Sequence, residues 1–260
     1  MRYLRDLGVF SLGLAAVGTG LWLGLAARVD GIAAALLVLV GLALVVGPPL
    51  VRPVVVQRAL RRVQLAFGGT WHETTDGGRW GLDLGRSWDP NTIRRFHLVR
   101  IDGFQFVTRA AAIELARYDR ATTRGPRSYA RTVDLVIRLE TRCSIVAQVL
   151  PRGIVGRAIA LDEGLDAHAT GSPLDSSFLT LSPSPELLSE YLDIHMNEPL
   201  QHVWSEVRLT MPWRVAARVL FHRGGVALLL QGVTAAQMTP ETIRRLLGAL
   251  APIADRIETR

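Results

Sequence analysis

Lysine is absent from this chain, so all 30 basic residues are arginines, and cysteine occurs once in 260 residues, at position 143. A single cysteine excludes an internal disulfide framework and every Cys-x-x-Cys redox or zinc motif. The familiar catalytic signatures are missing too. There is no Gly-x-Ser-x-Gly elbow, no phosphate loop ending in Gly-Lys-Ser/Thr and no His-Glu-x-x-His pair. No strand, glycine-rich turn and helix follow one another as a dinucleotide site requires. Nothing here implies a cofactor, and none is expected. Exclusive use of arginine fits nucleotide bias at the codon level better than selection for phosphate geometry. The net charge of +7 therefore does not point to nucleic acid.

What is present is unevenly distributed. The chain is 49% hydrophobic and 20% charged, with a mean hydropathy of +0.24. It is too apolar for an ordinary soluble protein and too charged for a polytopic transporter. Residues 7–27 and 31–51 contain no Asp, Glu, Lys or Arg. Each run would reach roughly 31 Å as a helix, close to the thickness of a bilayer core. A cleaved signal peptide is the rival for the first run, but its apolar stretch is long and a second follows at once. The intervening turn is too short for anything but an antiparallel hairpin. Arg2 and Arg5 precede it and Arg52, Arg58, Arg61 and Arg62 follow it, whereas the turn has Arg28 beside Asp30. By the positive-inside rule both termini are expected in the cytoplasm, with the protein multi-pass in the cell inner membrane.

Ala16, Gly20 and Gly24 recur every four residues and define a small-residue face for helix packing, against the second helix or a second chain. Pro48, Pro49 and Pro53 are expected to end or kink the second span. Residues 53–67 read as a basic amphipathic connector. Its arginines, with Arg52, are expected to meet anionic lipid headgroups, joined there by Trp71 and Trp80. Packing within the domain is the competing account of these tryptophans and of Trp88.

The remainder, 68–260, reads as short strands and a few helices. Val133, Leu135, Ile137 and Leu139 alternate as a strand does, and Gly103 marks a turn or bulge. Residues 110–118 fit a helix or a strand equally. Ser184-Pro185-Glu186 and Thr239-Pro240-Glu241 are helix starts. Pro199 is expected to interrupt the first helix and Pro252 to bend or divide the second. The order predicts a membrane-anchored α+β fold: a two-helix transmembrane hairpin (1–52), the connector (53–67), then a mixed, mainly antiparallel sheet domain with flanking helices (68–260).

The hairpin, the strand-like stretch 129–139, Phe178-Leu179-Thr180-Leu181 with its Pro-Glu-Leu-Leu helix, and the closing Gly-Gly hairpin and amphipathic helix together resemble uncharacterised bacterial families of membrane-anchored proteins. That resemblance implies architecture and transfers no catalytic residue.

Candidate chemistry is sparse. His195, Glu198 and His202 have helical metal-ligand spacing, but Pro199 spoils the geometry and His195 continues an apolar stripe, so no metal is expected. Cys143 lies between apolar runs and reads as a buried structural thiol. The reading favoured is a non-enzymatic, membrane-anchored cytoplasmic interaction or scaffold protein with a lipid bilayer and a protein as partners. A tethered enzyme is the alternative, recognisable by a pocket built from Asp83, Asp89, His97 or Glu140 with perturbed carboxylates.

Overall fold

The computed structural model describes residues 12, 15–22, 31–74, 93–121, 129–153, 167–183, 185–211 and 216–259. The chain divides into two compact units, Met1–Arg58 and Ala59–Arg260.

In the first unit, residues 15–22 are helical and helix α1 (Gly31–Phe67) begins. Ala34 and Gly41 are buried with Leu37 and Val38 half-buried between them, a stripe at helical spacing. Gly20 faces it. A Cβ at position 20 would lie 2.9 Å from Val38 Cγ2 and 3.0 Å from the Ala34 carbonyl, so only glycine permits this approach.

Among the described residues no helix is long and apolar enough to cross a membrane. This overturns the expected transmembrane spans, the multi-pass inner-membrane location and the membrane-anchored class; of the expected span 7–27 only residues 12 and 15–22 are among those described. No break occurs at Pro48, Pro49 or Pro53, where one was expected: one helix of 37 residues, α1, runs through them into the segment bearing Arg52, Arg58, Arg61 and Arg62.

The second unit opens with the last turns of α1, where Ala59, Leu60 and Val63 are buried. Gly68 and Gly69, with φ of 78° and 92°, end the helix in the left-handed conformation that glycine adopts without strain. A Cβ on Gly69 would lie 2.6 Å from the Asp102 carbonyl, so the chain is drawn tightly against the sheet here. Phe67 closes the corner on Phe104, with ring centroids 5.4 Å apart.

Nine strands follow among the described residues: β1 (Thr70–Thr74), β2 (Ile93–Phe106), β3 (Arg109–Ala121), β4 (Tyr129–Glu140), β5 (Ala147–Pro151), β6 (Ala167–His168), β7 (Phe178–Leu181), β8 (Ala216–His222) and β9 (Gly225–Gln231). They form one sheet in the order β1-β2-β3-β4-β9-β8-β5-β7-β6. Every pairing is antiparallel, so the sheet is not mixed. The hairpin β8–β9 is wedged between β4 and β5.

Alternation sorts the side chains into two faces. Ile101, Ile113, Ile137, Leu228, Val219 and Val149 stand in register across six strands and are fully buried. Each contributes about 1.5–3 kcal/mol of transfer free energy. Two helices, α2 (Asn197–Thr210) and α3 (Pro240–Glu258), pack together, and α3 lies on β4 and β9. Thr239 caps α3 by accepting from the Thr242 N–H at 3.1 Å, and Pro240 occupies its first turn. The buried stripe Ile243, Leu246, Leu247, Leu250, Ile253, Ile257 faces the sheet. Pro252 does not divide α3: it is exposed, and the residue whose carbonyl its ring crowds is Gly248. Pro199 does not interrupt α2 either, since it falls in the first turn, where no backbone donor is needed.

Candidate functional site

The chemistry of the second unit is concentrated on the other sheet face. Cross-strand partners His72, Arg100 and Glu114 lie in line on β1, β2 and β3, with Asp102 two residues along from Arg100. Arg138 on β4 sits directly opposite Ala112 and Ala227, whose small side chains leave room for its stem. His222 on β8 is opposite Gly225, and its ring lies where a Cβ there would be, 3.0 Å away. A belt of ionisable groups thus runs from β1 to β8, crossing six strands with members on five of them: His72, Asp102, Arg100, Glu114, Arg138 and His222.

Its members are mostly partnered with one another. Arg100 Nε lies 2.9 Å from Asp102 Oδ2 and 3.4 Å from Glu114 Oε1. His72 Nε2 is 3.1 Å from Asp102 Oδ1. Glu114 is almost wholly buried, and burial pushes its carboxyl above the usual range; Arg138 and Arg100 pull it down, while Asp102 adds to the rise. His222 is pushed down by burial, with Arg138 acting the same way. Its Nδ1 lies 3.1 Å from the Arg223 carbonyl oxygen, which selects the Nδ1–H tautomer and leaves Nε2 as an acceptor. Arg100 Nε, Arg138 Nε and His222 Nε2 have no hydrogen-bond partner among the described residues, so the Nε of Arg100 meets its two carboxylates as an ion pair and not through an aligned hydrogen bond. Further along the same face, Arg218 donates to Gln148 at 3.0 Å and Asp134 accepts from the Gly232 N–H at 3.4 Å.

Chemically, this belt holds two guanidinium groups against two carboxylates, with a neutral imidazole at one end. A carboxyl that stays protonated above its ordinary range can donate a proton, but Glu114 faces arginines and little solvent.

The residues singled out from the sequence lie elsewhere. Arg61 and Trp71 are brought together, with the guanidinium 3.8 Å from the ring centroid and Trp71 on the core face opposite Ile101. Arg61 also donates to Gln64 at 2.9 Å. Arg58 and Arg62 are exposed on α1; Arg52 belongs to that helix, but its side chain is outside the described residues. Trp80, Trp88, Gly24, Asp83 and Asp89 also lie outside them. Ala16 is half-buried. His195, Glu198 and His202 are all exposed, because the buried stripe runs instead through Met196, Leu200, Val203, Trp204 and Val207. Among the described residues no group of three or more His, Cys, Asp or Glu is placed to hold a metal ion. Glu140 is exposed at the end of β4, and Cys143 is buried with its thiol pushed up by burial.

Sequence reasoning missed the belt. Its signal was a charge at alternate positions within strand-like runs, such as Glu114 in an otherwise apolar stretch. That signal becomes readable only once residues 110–118 are known to be a strand.

No family model, no curated protein and no solved structure matches this chain.

Proposed function

We propose that this chain is a non-enzymatic interaction or scaffold protein whose second unit engages a protein partner. The observation that supports this reading is the internal pairing of the belt. Its two carboxylates are both committed to Arg100, and Glu114 is buried against a second arginine, so neither is poised as a general acid or base for an incoming substrate. Such a network orders a sheet face and sets its register.

An enzymatic reading has one observation in its favour: a carboxyl raised by burial, near an arginine and a neutral histidine, is the pattern that acid–base sites also use. The two readings separate experimentally. A photo-activatable residue placed at Val107, Ile194 or Leu209, all exposed apolar positions, is expected to give a discrete adduct in the producing cell. The same residue at exposed Gly153 is the control. Adducts no different from the control at all three positions would refute the interaction reading. Adduct formation that survives Glu114→Gln in a folded protein is the further expectation, since the belt is not the contact surface.

A further inference from the structure

Two side chains of the belt keep an unanswered buried nitrogen and flank the same strand. Arg138 stands on β4 opposite Ala227, and His222 on β8 opposite Gly225, the next position on that face of β9. Neither Ala227 nor Gly225 carries a side chain larger than a methyl group, so β9 places nothing bulky between them. The His222 ring leans over β9, with Nε2 3.1 Å from where a Cβ on Gly225 would lie. His222 is 7% exposed and Arg138 is half-buried. The charge of Arg138 is felt at His222, so the two groups are within electrostatic reach of each other.

Their unmet needs are complementary. With its Nδ1–H held by the Arg223 carbonyl, His222 offers a lone pair at Nε2, while Arg138 offers an N–H at Nε. Arg138 also lacks a counter-charge. Both carboxylates of the belt are paired with Arg100, and Arg138 makes no ion pair among the described residues. Glu140, opposite Gly225, is exposed, where water screens its charge. One molecule that answers both atoms must accept a hydrogen bond, donate another and carry negative charge. Water meets the first two demands and fails the third. We infer that Arg138 and His222 bind inorganic phosphate in its hydrogen phosphate form, an ionised oxygen accepting from Arg138 and the remaining O–H donating to His222 Nε2. Sulfate carries the charge but no O–H at neutral pH. A phosphate monoester loses its last acidic proton with a pKa of about 6, so in mildly alkaline buffer it has no O–H either. The burial of His222 admits a small ion and not a phosphorylated chain. The ion site goes beyond the interaction reading and does not depend on which protein the second unit engages.

The test is isothermal titration of the full chain at about pH 8, with inorganic phosphate, sulfate and methyl phosphate as the three titrants. Phosphate is expected to bind. Sulfate and methyl phosphate are expected to bind at least about tenfold more weakly, because each sets a bare oxygen against the His222 lone pair. Arg138→Gln and His222→Phe are each expected to weaken phosphate binding by about tenfold or more, with the fluorescence of Trp71 and Trp204 retained. Failure of phosphate to bind the unsubstituted chain overturns the inference and leaves a buried water as the partner of both nitrogens. Equal binding of sulfate or methyl phosphate overturns it too, since the anion is then an adventitious ion only. Those comparisons use the unsubstituted protein and decide the matter even where a variant fails to fold. Unchanged phosphate affinity in either folded variant also overturns the inference.

Discussion

Replacing Val107 with asparagine is expected to stabilise the second unit, although it removes an apolar side chain. Phe106 pairs with Arg109, so Val107 and Thr108 form a two-residue hairpin turn between β2 and β3. Val107 has φ of 57° and is the one described non-glycine residue on the left-handed side. There a β-branched side chain crowds its own backbone, at a cost of roughly 1–2 kcal/mol. The isopropyl group returns little, because it is 80% exposed. A fifth of a valine's burial is worth about 0.5 kcal/mol. Relief therefore exceeds loss, and Val107→Asn should gain about 1 kcal/mol. Val107→Gly should gain less, because glycine frees the unfolded chain as well. The base of the hairpin holds the turn in place: Arg109 pairs with Asp255 at 2.7 Å and also with Glu258 on α3. The assay is urea unfolding followed by tryptophan fluorescence, with a rise of about 2–4 °C in a parallel thermal scan. Destabilisation by Asn and Gly alike would refute the reasoning, because the valine would then be packed in the native protein and not strained.

Glu114 gives a pH prediction. Its folded pKa is raised above the ordinary value of 4.5, so its stabilising contribution is complete below that pH and is lost as pH rises through the folded pKa. The stability of the wild type minus that of Glu114→Gln should therefore decline with rising pH above about 4.5 in a series of urea midpoints; a difference that grows would mean the arginine pairs outweigh burial. Gly225→Ala should destabilise by about 1–3 kcal/mol, because its Cβ would lie 2.7 Å from the Leu139 carbonyl and 3.0 Å from the His222 ring. An unchanged unfolding midpoint would show that β9 can move away from β4 and β8 at no cost.

Much of the second unit's local structure was legible where pattern and chemistry agreed. The alternation from Val133 to Leu139 lies within β4, and the Thr239 cap begins α3 where a threonine followed by proline should. Gly103 falls at the register shift between Ile101 and Phe104, so it is a bulge and not the turn. The turn itself was illegible, because Val107–Thr108 has neither the glycine nor the asparagine that marks a tight hairpin. Prolines mislead when their position is ignored: Pro199 falls in a first turn and Pro252 at an exposed site above Gly248, where a helix tolerates them. The apolar runs at 7–27 and 31–51 invited a membrane reading by their hydropathy alone, whereas among the described residues no helix is long and apolar enough to cross a membrane. The belt was hidden for a different reason. Arg100, Glu114, Arg138 and His222 are scattered over more than a hundred positions, and only the register of five strands makes them neighbours.

The wedging of β8–β9 between β4 and β5 also governs the order in which the sheet can be completed during synthesis. Strand β4 ends at Glu140, but its permanent neighbour begins at Gly225, so its outer edge waits for some eighty further residues. Strand β5 reaches the sheet only through β8, which arrives equally late. Until then the nascent chain carries a four-strand piece ending in the open edge of β4, whose residues 134–140 include Leu135, Val136, Ile137 and Leu139. An exposed edge of that composition is a template for pairing with another chain. Long-range closure of this kind slows folding and leaves the intermediate vulnerable to aggregation. Truncation anywhere between residues 141 and 224 should therefore be harmful out of proportion to the contacts deleted, because it removes the only strand that seals the edge of the first four.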